Sequence, residues 1–218
     1  MAIWITVRHT RSGRSNLMRH SQRKTSTKVR NGKVARKNRT ELSNHYSQIR
    51  QDETVVDRLR PGAGYKHYLT IADVKRFIGI LPDWDQLSRG LDAVILDEGG
   101  DSMGWHWDGV VAVCAWEREY TTDWDTAFVN DHIEILDRLG VEREPIEDDP
   151  NGTWCHFDDA SIKGFQLMHI LLHELGHHHD RMTTTSQIRS ARGEQFAETY
   201  ALRYADSLWD AYFREFNW

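Results

Sequence analysis

Apolar positions along the chain follow two spacings, and each predicts a different element. Phe165, Met168, Leu172 and Leu175 recur at steps of three and four, and Leu171 and Met182 widen the stripe, the signature of a helix with one face in the core. Asp158, Asp159 and Ser161 stand before it, where short polar and acidic groups suit a helix N-terminus. Ile71 to Leu81 predicts another helix, stopped by Pro82, with a short helical turn over Trp84 to Arg89. Asp131 to Leu139 predicts a third, and a further helical run starts at Glu194. The remaining apolar runs are short and β-like. Ala93 to Asp97 is bounded by Gly99 and Gly100, Trp105 and Trp107 alternate around His106, and Gly109 to Trp116 is the most continuous. These strands predict an antiparallel hairpin or meander. Glu142 to Gly152, with Pro145 and Pro150, predicts an acidic turn, and Trp154 to Phe157 a strand entering the long helix. The pattern is that of an α+β domain.

The long helix carries a second stripe. His169, His173, His177 and Asp180 fall on one side of it, at about 100° per residue. Within the stripe lies His173-Glu174-Leu175-Gly176-His177. Two imidazoles four residues apart share a helix face and can share a metal, with Glu174 beside it as a base. A third ligand is available beyond the polar loop from Thr183 to Gly193. Glu194 and Glu198 share a face of the next helix, and Ala197, Ala201 and Ala205 allow it to approach a neighbour closely. Either carboxylate would complete a set of two imidazoles and one carboxylate with a position left for water.

H-E-x-x-H followed by a helix carrying E-x-x-A resembles the gluzincin group of zinc metallopeptidases. The run Glu194 to Glu198, and the acid three residues after the second histidine, are similar to the anthrax-lethal-factor-like peptidases. The likeness covers roughly residues 158 to 208. It implies a zincin-like fold, a small antiparallel or mixed sheet packed on an active-site helix and a C-terminal ligand helix. It also implies one zinc ion on His173, His177 and Glu194, with Glu198 as a supporting group. The expected activity is metalloendopeptidase hydrolysis of a peptide or protein substrate by zinc-activated water, with Glu174 as general base. By the same likeness, residues 109 to 116 are expected to be an edge strand that pairs with extended substrate. Tyr200, Tyr204 and His169 are candidate oxyanion donors, and Asp180 a candidate partner for a ligand imidazole.

Composition adds an asymmetry. The net charge is −5 over 218 residues, yet residues 1 to 50 hold 13 Lys/Arg and one acid, Glu41. A basic, apolar-poor stretch buries too little to offset its ordering entropy. Residues 1–49 are therefore expected to form an arm, mobile from about 8 to 40, before a catalytic domain over 50–218. The arm could contact nucleic acid or dock on the acidic body. Cys114 and Cys155 have no disulfide or zinc spacing and are expected as buried thiols. No apolar run spans a membrane and no signal peptide is evident, so a cytoplasmic protein is expected. His106 and His156 are expected to be ordinary strand residues, and His178 and His179 solvated residues near the helix end. Two other functions compete: a metal-binding protein without catalysis, and a nucleic-acid-associated protein acting through the arm.

Overall fold

Val110 to Cys114 is apolar at every position, so it needs cover on both faces and both edges. In the computed structural model, which describes residues 2–4, 29–30, 33–34, 51–185 and 192–217, it finds that place as β8, buried throughout. β8 lies inside a five-stranded mixed sheet ordered β1-β7-β8-β6-β4. The strands are β1 (Ala2–Trp4), β4 (Val55–Arg58), β6 (Ala93–Asp97), β7 (Ser102–Trp107) and β8 (Val110–Cys114). The β7–β8 hairpin is antiparallel, with Trp105 opposite Ala112. Asp108 and Gly109 turn it with φ of 38° and 81°, the left-handed pair that two-residue hairpins prefer. β6 runs parallel to β8, and β4 parallel to β6. The hairpin is thus as expected, but a simple meander is not, because β8 inserts between β6 and β7. The expectation that 109 to 116 forms a substrate-pairing edge is corrected for the same reason: both sides of β8 are filled.

Within the N-terminal stretch expected to form an arm, β1 pairs antiparallel with β7, and β2 (Val29–Arg30) pairs with β3 (Lys33–Val34). The rest of residues 1 to 50, with their expected mobility and nucleic-acid contact, lies outside the described residues. β5 (Tyr65–Lys66) pairs with β9 (Trp116–Glu117). A separate antiparallel sheet orders β10 (Thr121–Asp125), β12 (Asp149–His156) and β11 (Glu142–Ile146). The acidic turn expected over 142 to 152 is therefore a hairpin. Pro145 is accommodated because β11 is an edge strand, where a missing N–H costs no ladder bond.

Helix α1 (Ile71–Ile80) starts at Thr70, whose hydroxyl accepts from the Asp73 N–H while Asp73 accepts in return, a capping box. α2 (Trp84–Leu87) follows Pro82. The helix expected over 131 to 139 is two short helices, α3 (Thr126–Asp131) and α4 (Ile133–Arg138), broken at His132. The long helix starts as α5 (Asp159–Phe165) behind an Asp158–Ser161 capping box, widens to a π-helical turn over Gln166–Leu171, and continues as α6 (Leu172–Thr183). The Gln166 amide donates to the Cys114 carbonyl at 3.0 Å. At the far end the Arg181 guanidinium donates to Asp108 at 2.7 Å and to the Gly90 carbonyl. The sheet is thereby fastened to both ends of the helix. α7 (Glu194–Phe216) packs against α6. A Cβ on Gly176 would lie 3.0 Å from the Ala197 Cα, so the glycine inside the histidine motif and the buried Ala197, Ala201 and Ala205 let the two backbones nearly touch. Cys114 and Cys155 are buried thiols outside any disulfide. Among the described residues, no helix is long and apolar enough to cross a membrane.

Candidate metal centre

Close approach of α6 and α7 brings His173, His177 and Glu194 together. The Glu194 Oε2 lies 3.2 Å from His173 Nε2 and 3.3 Å from His177 Nε2, and the two nitrogens are 3.2 Å apart. Donors bound at ~2.0 Å in a tetrahedron stand about 3.3 Å apart, so the three atoms already form one face of such a site. Hydrogen bonding from outside the trio aims it. His173 Nδ1 lies 3.0 Å from the Glu198 Oε2; with the carboxylate accepting, Nδ1 carries a proton, and Nε2 is the nitrogen a cation would take once its own proton is lost. Two histidine nitrogens and a carboxylate oxygen then converge, an arrangement that suits a cation. These residues, and separately His132, His169 and Glu198, are groups that could hold a metal ion.

The loop into α7 is pinned by Asp180. Its Oδ2 accepts from the backbone N–H of Arg192 at 2.7 Å and of Gly193 at 3.4 Å, and the Arg192 guanidinium lies 3.5 Å from Oδ1. Asp180 therefore fixes where Glu194 begins its helix, and its hydrogen bonds go to that loop, not to a ligand imidazole as expected. Glu198, not Asp180, orients His173. Of the candidate oxyanion donors, Tyr204 donates instead to the Pro82 carbonyl. Tyr200 stacks between His179 and Tyr204 with its hydroxyl lacking a hydrogen-bond partner among the described residues, and His169 sits beside His132 and Glu198.

Electrostatics separate the roles of the carboxylates. Contacts with His173 and His177 hold Glu194 far below the usual carboxylate range. Burial alone would raise Glu198, but His132 and His173 outweigh it and hold it low as well. Glu174 is different. It is fully buried, neither oxygen has a hydrogen-bond partner among the described residues, and burial pushes its carboxyl up to about 8 against the pull of His173. Burial alone would lower His173, yet Glu194 and Glu198 raise it to about 9.

A sign follows for metal uptake. Below about pH 9 the metal-free His173 holds two protons, and a cation at Nε2 must expel one. Apparent affinity is therefore expected to rise with pH, by about tenfold per unit for one proton released, and to level off above about pH 9. Chelator competition across this range measures it; affinity that is flat or falls with pH contradicts the assignment.

β7 forms the wall over Glu174. A Cβ on Gly104 would meet Glu174 Oε1 and the Ala112 carbonyl at 2.9 Å and Ile170 at 2.8 Å. Gly104→Ala is expected to destabilise the fold by about 1–3 kcal/mol through overpacking and to displace the Glu174 carboxyl; an unchanged denaturation midpoint would contradict this close packing.

Three histidines take places the sequence did not indicate. His178, expected in solvent, is buried with Nε2 3.0 Å from the Arg89 carbonyl. His106, expected to be an ordinary strand residue, stacks on His177 with ring centroids 6.4 Å apart. His132 lies 3.3 Å from Glu198. His179 is half-buried against Phe196 and Tyr200, and His156, at the end of the central strand β12, pairs with Thr121 and Glu144. Comparison of the chain with protein-family models, curated proteins and solved structures gives no match.

Proposed function

We propose that the chain is a zinc-dependent metalloendopeptidase of zincin-like architecture and gluzincin type, in which His173, His177 and Glu194 hold the ion and Glu174 is the general base. The observation that carries this is the pairing of two unlike environments in one helical turn. Three mutually adjacent metal-ligating atoms suit a cation, and a buried carboxyl without a hydrogen-bond partner stands next to them in sequence. A structural metal site needs only the first of these.

Zinc, when bound, supplies a Lewis acid that polarises a carbonyl and makes water nucleophilic near neutral pH. The chain's own residues supply the rest. Glu198 accepts the His173 Nδ1 proton and so aims Nε2 at the ligand position. Asp180 holds the start of α7 and with it Glu194. Glu174 takes a proton from the attacking water and returns it to the leaving amine. A base whose affinity for protons lies near the working pH does both, and burial moves Glu174 in that direction. Two imidazoles and one carboxylate suit zinc among several divalent ions, and the assignment of zinc in particular rests on the likeness of the H-E-x-x-H motif to zinc peptidases.

The test is hydrolysis of unfolded protein or mixed peptides by the full chain, after chelation and after zinc is restored. Cleavage that stops and returns with the metal is expected. Stoichiometric metal uptake with no cleavage of any peptide would favour a metal-binding protein without catalysis.

A further inference from the structure

A second buried group of metal-ligating side chains lies behind the first. His132 sits at the break between α3 and α4, His169 in the π-helical turn, and Glu198 on α7. One donor atom from each falls within 4.8 Å of the others. His132 and His169 are 6% and 2% exposed, so neither polar ring can rely on solvent.

Hydrogen bonds leave this group unsatisfied. His132 Nδ1 lies 2.7 Å from the Phe128 carbonyl, which can only accept, so Nδ1 carries a proton and Nε2 is the nitrogen left to face Glu198. That atom lies 3.3 Å from Glu198 Oε1. Despite the distance, neither His132 Nε2 nor Glu198 Oε1 has a hydrogen-bond partner among the described residues. Their approach does not have the direction a hydrogen bond requires. The other Glu198 oxygen already accepts from His173. His169 Nε2 lies 3.8 Å from Glu198 Oε2, beyond hydrogen-bond reach, and its Nδ1 has no hydrogen-bond partner among the described residues. Buried polar atoms therefore converge without the hydrogen bonds that would satisfy them, a costly arrangement if left as it is.

We propose that His132, His169 and Glu198 form a second metal site, taking a divalent first-row transition ion such as zinc or cobalt. A metal sits off the line between its donors. Arms of ~2.1 Å to atoms 3.3 Å apart enclose roughly 105°, close to the tetrahedral value. Glu198 serves two sites at once, Oε1 on the second ion and Oε2 on the His173 N–H. The buried ion would fix the group that orients a ligand of the first, a positioning role away from substrate. The second site does not depend on peptide hydrolysis.

The experiment is metal content of the full-length chain by mass spectrometry after zinc loading and gel filtration, for wild type, His132→Phe and His177→Ala. Phenylalanine keeps the ring stacked on Phe128, whose centroid is 3.9 Å from that of His132. Two ions are expected in the wild type and one in each variant. A wild type with one ion that His132→Phe loses and His177→Ala keeps would support the second site and sink the first. If His132→Phe binds as many ions as the wild type, the second site is overturned. Should His132→Phe fail to fold, cobalt titration of His177→Ala decides: one equivalent with tetrahedral d–d absorption is expected, and no uptake overturns the proposal.

Discussion

The Glu174→Gln chain is expected to keep its metal and to hydrolyse peptide about 10²–10⁴-fold more slowly than wild type, the usual contribution of a positioned general base. The substitution conserves shape in a fully buried place and removes only the ability to take up and release a proton. Both Glu174 oxygens lack hydrogen-bond partners among the described residues, so the amide breaks no bond seen there. Measured kcat on a peptide substrate, with metal content on the same sample, checks it. A rate within a few-fold of wild type would mean that the proton goes elsewhere. This variant also separates catalysis from simple metal binding, because a protein that only stores or senses a cation should be indifferent to it.

Glu194→Ala is the other large effect. Its carboxylate lies 3.2–3.3 Å from both imidazole nitrogens and is held ionised by them. Loss of an outer-shell partner commonly costs 10–100-fold in affinity; loss of a direct ligand is expected to cost at least about 100-fold at this site. Chelator competition should show one ion released far more easily, and hydrolysis should fail at metal concentrations that saturate the wild type. Affinity unchanged by Glu194→Ala would leave Glu198 as the ligand and contradict the geometry.

Much of the site could be read in the sequence because its parts are local. His173 and His177 are four residues apart on one helix, and no tertiary contact is needed to put them on one face. The alanines at 197, 201 and 205 announced a close helix pair, and Gly176 meets Ala197 there. The choice between Glu194 and Glu198 was open on spacing alone. It turns on a loop ending that Asp180 pins through the Arg192 and Gly193 amides, and nothing in the local sequence marks that contact.

What stayed hidden depends on distant partners. His132 reaches Glu198 from 66 positions away in the chain, and its setting between two short helices gives it no periodic signature. His178 looked solvated because polar residues surround it in sequence, but the Arg89 carbonyl covers it. Strand order was equally remote. Continuous apolar runs such as Val110 to Cys114 predict burial, but the insertion of β8 between β6 and β7 depends on pairing that no single segment encodes. In residues 142 to 152, prolines and acids suggest a turn where an exposed edge strand tolerates both. The π-helical turn at Gln166–Leu171 escaped because a regular 3.6-residue period predicts no such widening.

Diffraction from the zinc-loaded chain, recorded on both sides of the zinc absorption edge, bears most directly on the metal centre. An anomalous peak ~2.0–2.2 Å from His173 Nε2, His177 Nε2 and a Glu194 oxygen is the predicted result. A zinc-loaded crystal with no peak between α6 and α7, or with Glu194 turned away from both imidazoles, would contradict it.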